Sequence, residues 1–89
     1  MRSKSTAEFW ACYDKLPAHI QETDDKGCLR WKSNPSHPAV RFKQVAGKDS
    51  LFSARVGIHY RALAYREGDL VVWIWIGHHS EYDRLLNAR

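Results

Sequence analysis

Eighty-nine residues with 44% hydrophobic and 12% aromatic content make one folded domain (1–89) with a modest core, which excludes an intrinsically disordered chain. The longest apolar run spans only Leu70 to Ile76, and the two cysteines lack CxxC spacing; no membrane span fits, and neither a disulfide framework nor a cysteine-based zinc site is expected. Of the net charge of +4, the segment 30–66 carries +7 (Arg30, Lys32, Arg41, Lys43, Lys48, Arg55, Arg61 and Arg66 against Asp49), leaving −3 for the remainder.

Charge concentrated in this way is the footprint of a polyanion partner if it lands on one face. The plainer alternative is that Lys and Arg decorate exposed strands to prevent edge-to-edge pairing. The opening MRSKSTAEF has no apolar h-region, so a cytoplasmic chain with reduced thiols is expected.

In chain order, Ser5-Thr6-Ala7-Glu8 fits a capping box with Ser5 at the N-cap and Glu8 at the third helical position. Phe9, Cys12, Tyr13 and Leu16 follow at i, i+3, i+4 and i+7, one apolar stripe of a helix. Pro17 closes that helix or opens the next. A weaker pattern over 18–32, with Ile20 and Trp31 sharing a face, predicts a second helix paired with the first as a hairpin. The run 33–38, SNPSHP, is a breaker.

After Pro38 the period becomes two. Val40, Phe42 and Gln44 alternate with Arg41, Lys43 and Val45, a strand with a basic face. A turn over 46–50 leads to a strand over 51–57, with Phe52, Ala54 and Val56 on one face and Leu51, Ser53 and Arg55 on the other. Gly57-Ile58-His59 is a tight connection into a third strand over 60–65, and Glu67-Gly68-Asp69 turns into the apolar run 70–76. That last strand is expected to be buried on both faces, with neighbours on both edges. Ser80 with Asp83 caps a final short helix in which Tyr82, Leu85 and Leu86 lie at helical spacing. The fold class that follows is α+β: two N-terminal helices packed on a four-stranded, mainly antiparallel sheet, with a short C-terminal helix.

Arg55 and Arg61 are the first candidates for chemistry. With the hairpin centred on Ile58 they lie directly opposite one another on one face. Opposed like charges destabilise a sheet, so the two guanidiniums either diverge into water or await an anion. A phosphate held by two forked donors would resolve the repulsion. His79 and Tyr82, flanking the start of the last helix, can face one cleft. Imidazole is the usual acid or base near neutrality, whereas a tyrosine there also serves as a helix anchor. His78 points to the opposite side if strand alternation persists.

His37, His59, His78, His79, Asp83 and the cysteines supply metal-ligand types, but adjacent strand residues point apart and no spacing matches a zinc pattern. No metal and no cofactor is expected. Trp73 and Trp75 could stack on bases, but within this apolar run they read as core, and Trp10, off the helical stripe, as a protein contact.

The segments ARVGIHYRAL and WIWIGHHSEYDRLL, in a chain ordered helix, helix, four strands, resemble the RelE/ParE superfamily of bacterial toxins from toxin–antitoxin pairs. SNPSHPAVRFKQV is similar to the usual entry to the first strand of such proteins. The resemblance implies a microbial RNase-like fold and a toxin silenced by a cognate antitoxin. It implies a metal-independent mRNA endoribonuclease, acting in many members on the ribosome. In such enzymes the sugar 2′-hydroxyl attacks the adjacent phosphate, leaving a 2′,3′-cyclic phosphate and a 5′-hydroxyl.

By position, the resemblance assigns Arg55 and Arg61 to charge on the scissile phosphate, His79 to proton transfer, and Tyr82 to base stacking or proton transfer. Lys43 and Lys48 would hold the RNA backbone, with Arg41 and His59 as further RNA-binding candidates. Ser53 stands where the best-known ribosome-dependent members carry a lysine. The superfamily also contains gyrase-poisoning members without ribonuclease chemistry, and inactive homologues. A ParE-like gyrase inhibitor and an inactive basic binding module are therefore the alternatives.

Overall fold

The computed structural model describes residues 2–87. In chain order it contains β1 (Arg2–Ser5), α1 (Ala7–Tyr13), α2 (Ala18–Ser33), β2 (Lys43–Gln44), β3 (Leu51–Val56), β4 (Tyr60–Glu67), β5 (Leu70–His78) and α3 (His79–Asn87). The strands form one sheet in the order β1-β5-β4-β3-β2, antiparallel except for the parallel pair β1–β5. The expected α+β class holds. The sheet has five strands among the described residues, where the sequence predicts four.

The extra strand is β1, whose residues Arg-Ser-Lys-Ser carry no apolar alternation. Main-chain pairing holds it instead, in register from Arg2 against Leu70 to Ser5 against Trp73. The Arg2 N–H donates to the Asp69 carbonyl at 2.9 Å and the Thr6 N–H to the Trp73 carbonyl at 3.0 Å. Because Ser5 ends a strand, the cap of α1 moves one residue on. Thr6 Oγ1 accepts from the Phe9 N–H at 3.1 Å and donates to the Trp73 carbonyl at 3.1 Å, which satisfies an orphan amide and pins the helix to β5.

β2 is much shorter than its alternation suggests. Arg41 takes φ 50, left-handed backbone that interrupts an extended chain. Val40 still offers its carbonyl to the Arg55 N–H at 2.7 Å and is buried. β5 does have neighbours on both edges, but the expectation of burial on both faces is half right. A bulge opposite Leu63 and Ala64 inserts Ile74 as an extra residue. Val71, Trp73 and Ile76 therefore meet the helices, while Ile74 and Trp75 join Leu63 and Tyr65 on the other face, which is only partly covered.

The core lies between the α1–α2 hairpin and the sheet. Phe9 and Ile20 pack on Val56, Ala62 and Ile76; Trp31 packs on Val40, Ala54, Ala64 and Val71. Ile20 and Trp31 share the buried face of α2 as their spacing predicts. Trp31 is 1% exposed and meets Phe42 and Trp73 edge-on, at 5.3 and 5.5 Å. Burying a side chain of that size contributes much of what a domain this small can gather.

Candidate functional site on the open face of the sheet

Paired residues on neighbouring strands point to the same side, so the register lays out the face away from the hairpin row by row. Arg55 stands opposite Arg61, and Arg61 opposite Gly77. In the next row, Lys43 stands opposite Ser53, Ser53 opposite Leu63, and Leu63 opposite Trp75. Arg55 and Arg61, both half-buried, thus stand side by side on the face away from the helices, as the hairpin centre at Ile58 predicts.

Each guanidinium is tied to its own backbone. Arg55 Nε donates to the Gly57 carbonyl at 3.0 Å, and an Arg61 terminal nitrogen donates to the Tyr60 carbonyl at 2.9 Å. Among the described residues no carboxylate forms an ion pair with either. Each guanidinium thus has one of its five N–H donors engaged with its own backbone, and two such groups side by side have the chemistry to hold an anion.

The third residue of that row is glycine for a steric reason. A Cβ at position 77 would stand 2.5 Å from Cζ2 of Trp75. The half-buried indole therefore lies over Gly77, beside Arg61. The apolar run favours core over base stacking for Trp75, because the bulge that turns it outward leaves no trace in the period of that run. Tyr82 continues the aromatic surface, its ring 6.5 Å from Trp75.

His79 opens α3 immediately beyond β5. Its N–H donates to the His59 carbonyl at 2.7 Å, and the two imidazole centroids are 5.9 Å apart. Asp83 Oδ2 lies 4.0 Å from His79 Nδ1, one helical turn on. His79, Tyr82 and His59 thus gather at the end of the sheet where the arginine row lies. Lys43 lies on the same face, one row away. Lys48 lines the far end, in a cleft with Tyr65, Ile74, Trp75, Leu85 and Leu86. Arg41 is exposed at the left-handed turn before β2. Ser53 is buried at 4% exposure, so that position presents no group to solution, and its neighbour Lys43 is the cation in its row.

His78, His79 and His59 form a triangular cluster, with centroids 4.5 to 6.1 Å apart and ring planes inclined by 14 to 33°. Among the described residues no three His, Cys, Asp or Glu side chains converge as metal ligands. Cys12 and Cys28 are free thiols. Ser80 was expected to cap the last helix; α3 begins one residue before it.

The opposite side of the molecule differs in charge. Tyr13 donates to Asp25 at 2.9 Å, and burial, that bond and the neighbouring carboxylates push its phenol up to about 12. Burial and then the Asp25 charge push Asp24 up to about 6. Asp24 lines a cavity of about 130 Å³ between hairpin and sheet, with Phe9, Trp10, Trp31 and Trp73 among its walls.

Comparison with known proteins agrees with the fold. A family model described as a ParE-like toxin domain matches residues 20–84. No curated protein sequence matches. Among solved structures, the chain is similar to the Methanococcus jannaschii RelB–RelE antitoxin–toxin complex (TM-score 0.72, 21% identity, 89% of this chain and 94% of that one). It is also similar to the YoeB/ParE toxin from Agrobacterium tumefaciens (0.67, 17%, 89% and 99%) and the isolated E. coli RelE toxin (0.66, 15%, 96% and 97%). No helix among the described residues is long and apolar enough to cross a membrane. With the model covering most of the chain, the protein belongs to the ParE-like toxin domain family, within the RelE/ParE superfamily of toxins.

Proposed function

We propose that this toxin is a metal-independent endoribonuclease that cuts mRNA and is neutralised by a cognate antitoxin, with the ribosome as one setting for cleavage. The observation that carries the reading is the direct cross-strand pairing of the half-buried Arg55 and Arg61 on the face away from the helices, without a carboxylate partner among the described residues and with His79 and Tyr82 at the same end of the sheet.

In this reading the scissile phosphate sits between the two guanidiniums, which stabilise the extra negative charge of the pentavalent transition state, usually the largest catalytic term. Neutral His79 takes the proton of the attacking 2′-hydroxyl. The new P–O2′ bond forms as the P–O5′ bond breaks, and the Tyr82 phenol protonates the departing 5′-oxygen. A solvent proton exchange restores both groups. The indole of Trp75 offers a stacking surface to a base flanking the phosphate. Lys43, Lys48, Arg41 and His59 hold the backbone on either side.

The antitoxin follows from the family and from the RelB–RelE complexes among the structural relatives. A basic face of this kind suits an acidic partner.

The test is purified protein incubated with RNA, with and without ribosomes, in EDTA. The reading expects products with 5′-hydroxyl ends, lost in His79→Ala and Arg61→Ala. Absence of cleavage in both settings, or cleavage unchanged in those variants, overturns it. The matched model, being ParE-like, favours a second reading: a gyrase inhibitor without nuclease chemistry. That reading expects trapped DNA cleavage complexes and toxicity that survives His79→Ala. An inactive basic module predicts salt-sensitive RNA binding with neither product nor growth arrest.

A further inference from the structure

His78 takes no part in the chemistry proposed above, yet its ring nitrogen is fully engaged. It is the last residue of β5, immediately before His79, and therefore occupies the N-cap of α3. The first amides of a helix have no partner inside it. Here the His79 N–H donates to the His59 carbonyl at 2.7 Å, and the next, that of Ser80, donates to His78 Nδ1 at 3.2 Å. Ser80 Oγ lies 3.0 Å from the same nitrogen. A backbone N–H can only donate, so Nδ1 is the acceptor and the ring proton is on Nε2. Histidine is not among the usual N-cap residues, and its use in this position ties the helix start to the state of one imidazole.

The helix depends on such a cap more than most. α3 is nine residues long and no described residue of it is buried. A helix that short does not hold itself together in water. Its apolar residues Leu85 and Leu86 only line one side of an open cleft. What it carries, however, is both proposed proton carriers.

We infer that His78, through the unprotonated Nδ1 of its ring, is the N-cap of α3 and thereby the positioning residue that sets His79 and Tyr82 against the arginine pair. The functional consequence rests on the nuclease reading; the cap itself does not. Protonation removes the lone pair that Ser80 uses and places a cation at the positive end of the helix dipole, so acid loosens α3. The groups facing His78 are His59 from the β3–β4 connection, Tyr60 from β4 with its ring edge-on at 5.4 Å, and His79 and Ser80 from α3; Asp83 reaches this group through His79. Among the described residues, the carboxylate of this group thus reaches His78 only through His79.

The experiment is amide hydrogen exchange of the whole protein, read at residues 80–83 relative to Leu63 in β4, for wild type, His78→Ala and His78→Asn. Loss of one cap corresponds to about a fivefold drop in protection. His78→Ala is expected to show that drop at neutral pH. His78→Asn, which keeps an acceptor at the cap, is expected to stay within about twofold of wild type and to lose the fall in protection that wild type shows on acidification. In the RNA assay His78→Ala lowers kcat with KM unchanged, and His78→Asn restores it. Unchanged protection in His78→Ala overturns the inference. So does equal loss in both variants, which would assign the ring's effect to packing. If wild type shows the expected exchange pattern but cuts no RNA, the cap stands and the nuclease reading falls.

Discussion

The two faces of β3, β4 and β5 are built from alternate residues of the same strands and obey different rules. Toward the helices stand Ala54, Val56, Ala62, Ala64, Val71 and Ile76, all buried. Toward the other side stand Arg55, Arg61, Tyr65 and Trp75, half-buried or exposed, beside the buried Ser53, Leu63 and Gly77. The helix-covered face is a packing problem in which the aromatic rings of α1 and α2 fit over small residues. The open face tolerates two unpaired guanidiniums in direct register, an arrangement that weakens the sheet and that packing cannot explain. In the proposed reading a ligand of opposite charge relieves that repulsion.

Substitutions can break the contrast from either side. The largest stability effect belongs to the covered face: Trp31→Ala costs about 3–5 kcal/mol, which for a domain of this size leaves little or no folded protein in a thermal melt. Arg61→Ala lies on the other side and behaves oppositely. It lowers cleavage by about 10²–10³-fold, as loss of one transition-state donor does, while the melting temperature holds or rises because the like-charge pair is gone. Gly77→Ala sharpens the boundary between the faces. The added methyl must displace the Trp75 indole, at a cost of about 1–3 kcal/mol, and a shift in tryptophan fluorescence should accompany reduced RNA affinity.

The smallest effect falls on the helix side and depends on pH. Asp24 titrates near 6 in the fold against an ordinary value of 3.8. The folded state therefore favours the neutral acid. Stability from this group is full below about pH 4 and is lost as pH rises through 6. Asp24→Asn should then raise stability at pH 7, on the order of 1 kcal/mol after allowance for solvent screening, with the gain vanishing in melts at pH 4.

Much of this was legible in the sequence because period and punctuation carried it. Gly57-Ile58-His59 set the hairpin centre, and with it the Arg55–Arg61 register. Ile20 and Trp31 marked the buried face of α2. What the residue pattern does not show is held by backbone or by irregularity. β1 has no side-chain pattern because its partner is the main chain of β5. The Ile74 bulge turns Trp75 outward inside a run that looks uniformly apolar. Arg41 delays the start of β2 by a left-handed φ that no alternation reveals. The cap of α3 is an imidazole, a residue type that capping patterns do not include, so Ser80 drew attention that belonged to His78.

The most direct test of the central claim is Arg61→Glu, followed by a thermal melt and by RNA cleavage in EDTA. The exchange turns a cross-strand repulsion into an opposite-charge pair with Arg55, worth about 0.2–1 kcal/mol, and removes the anion site. A protein that melts no lower than wild type and no longer cuts RNA is the predicted result. Cleavage that persists at the wild-type rate would contradict the account.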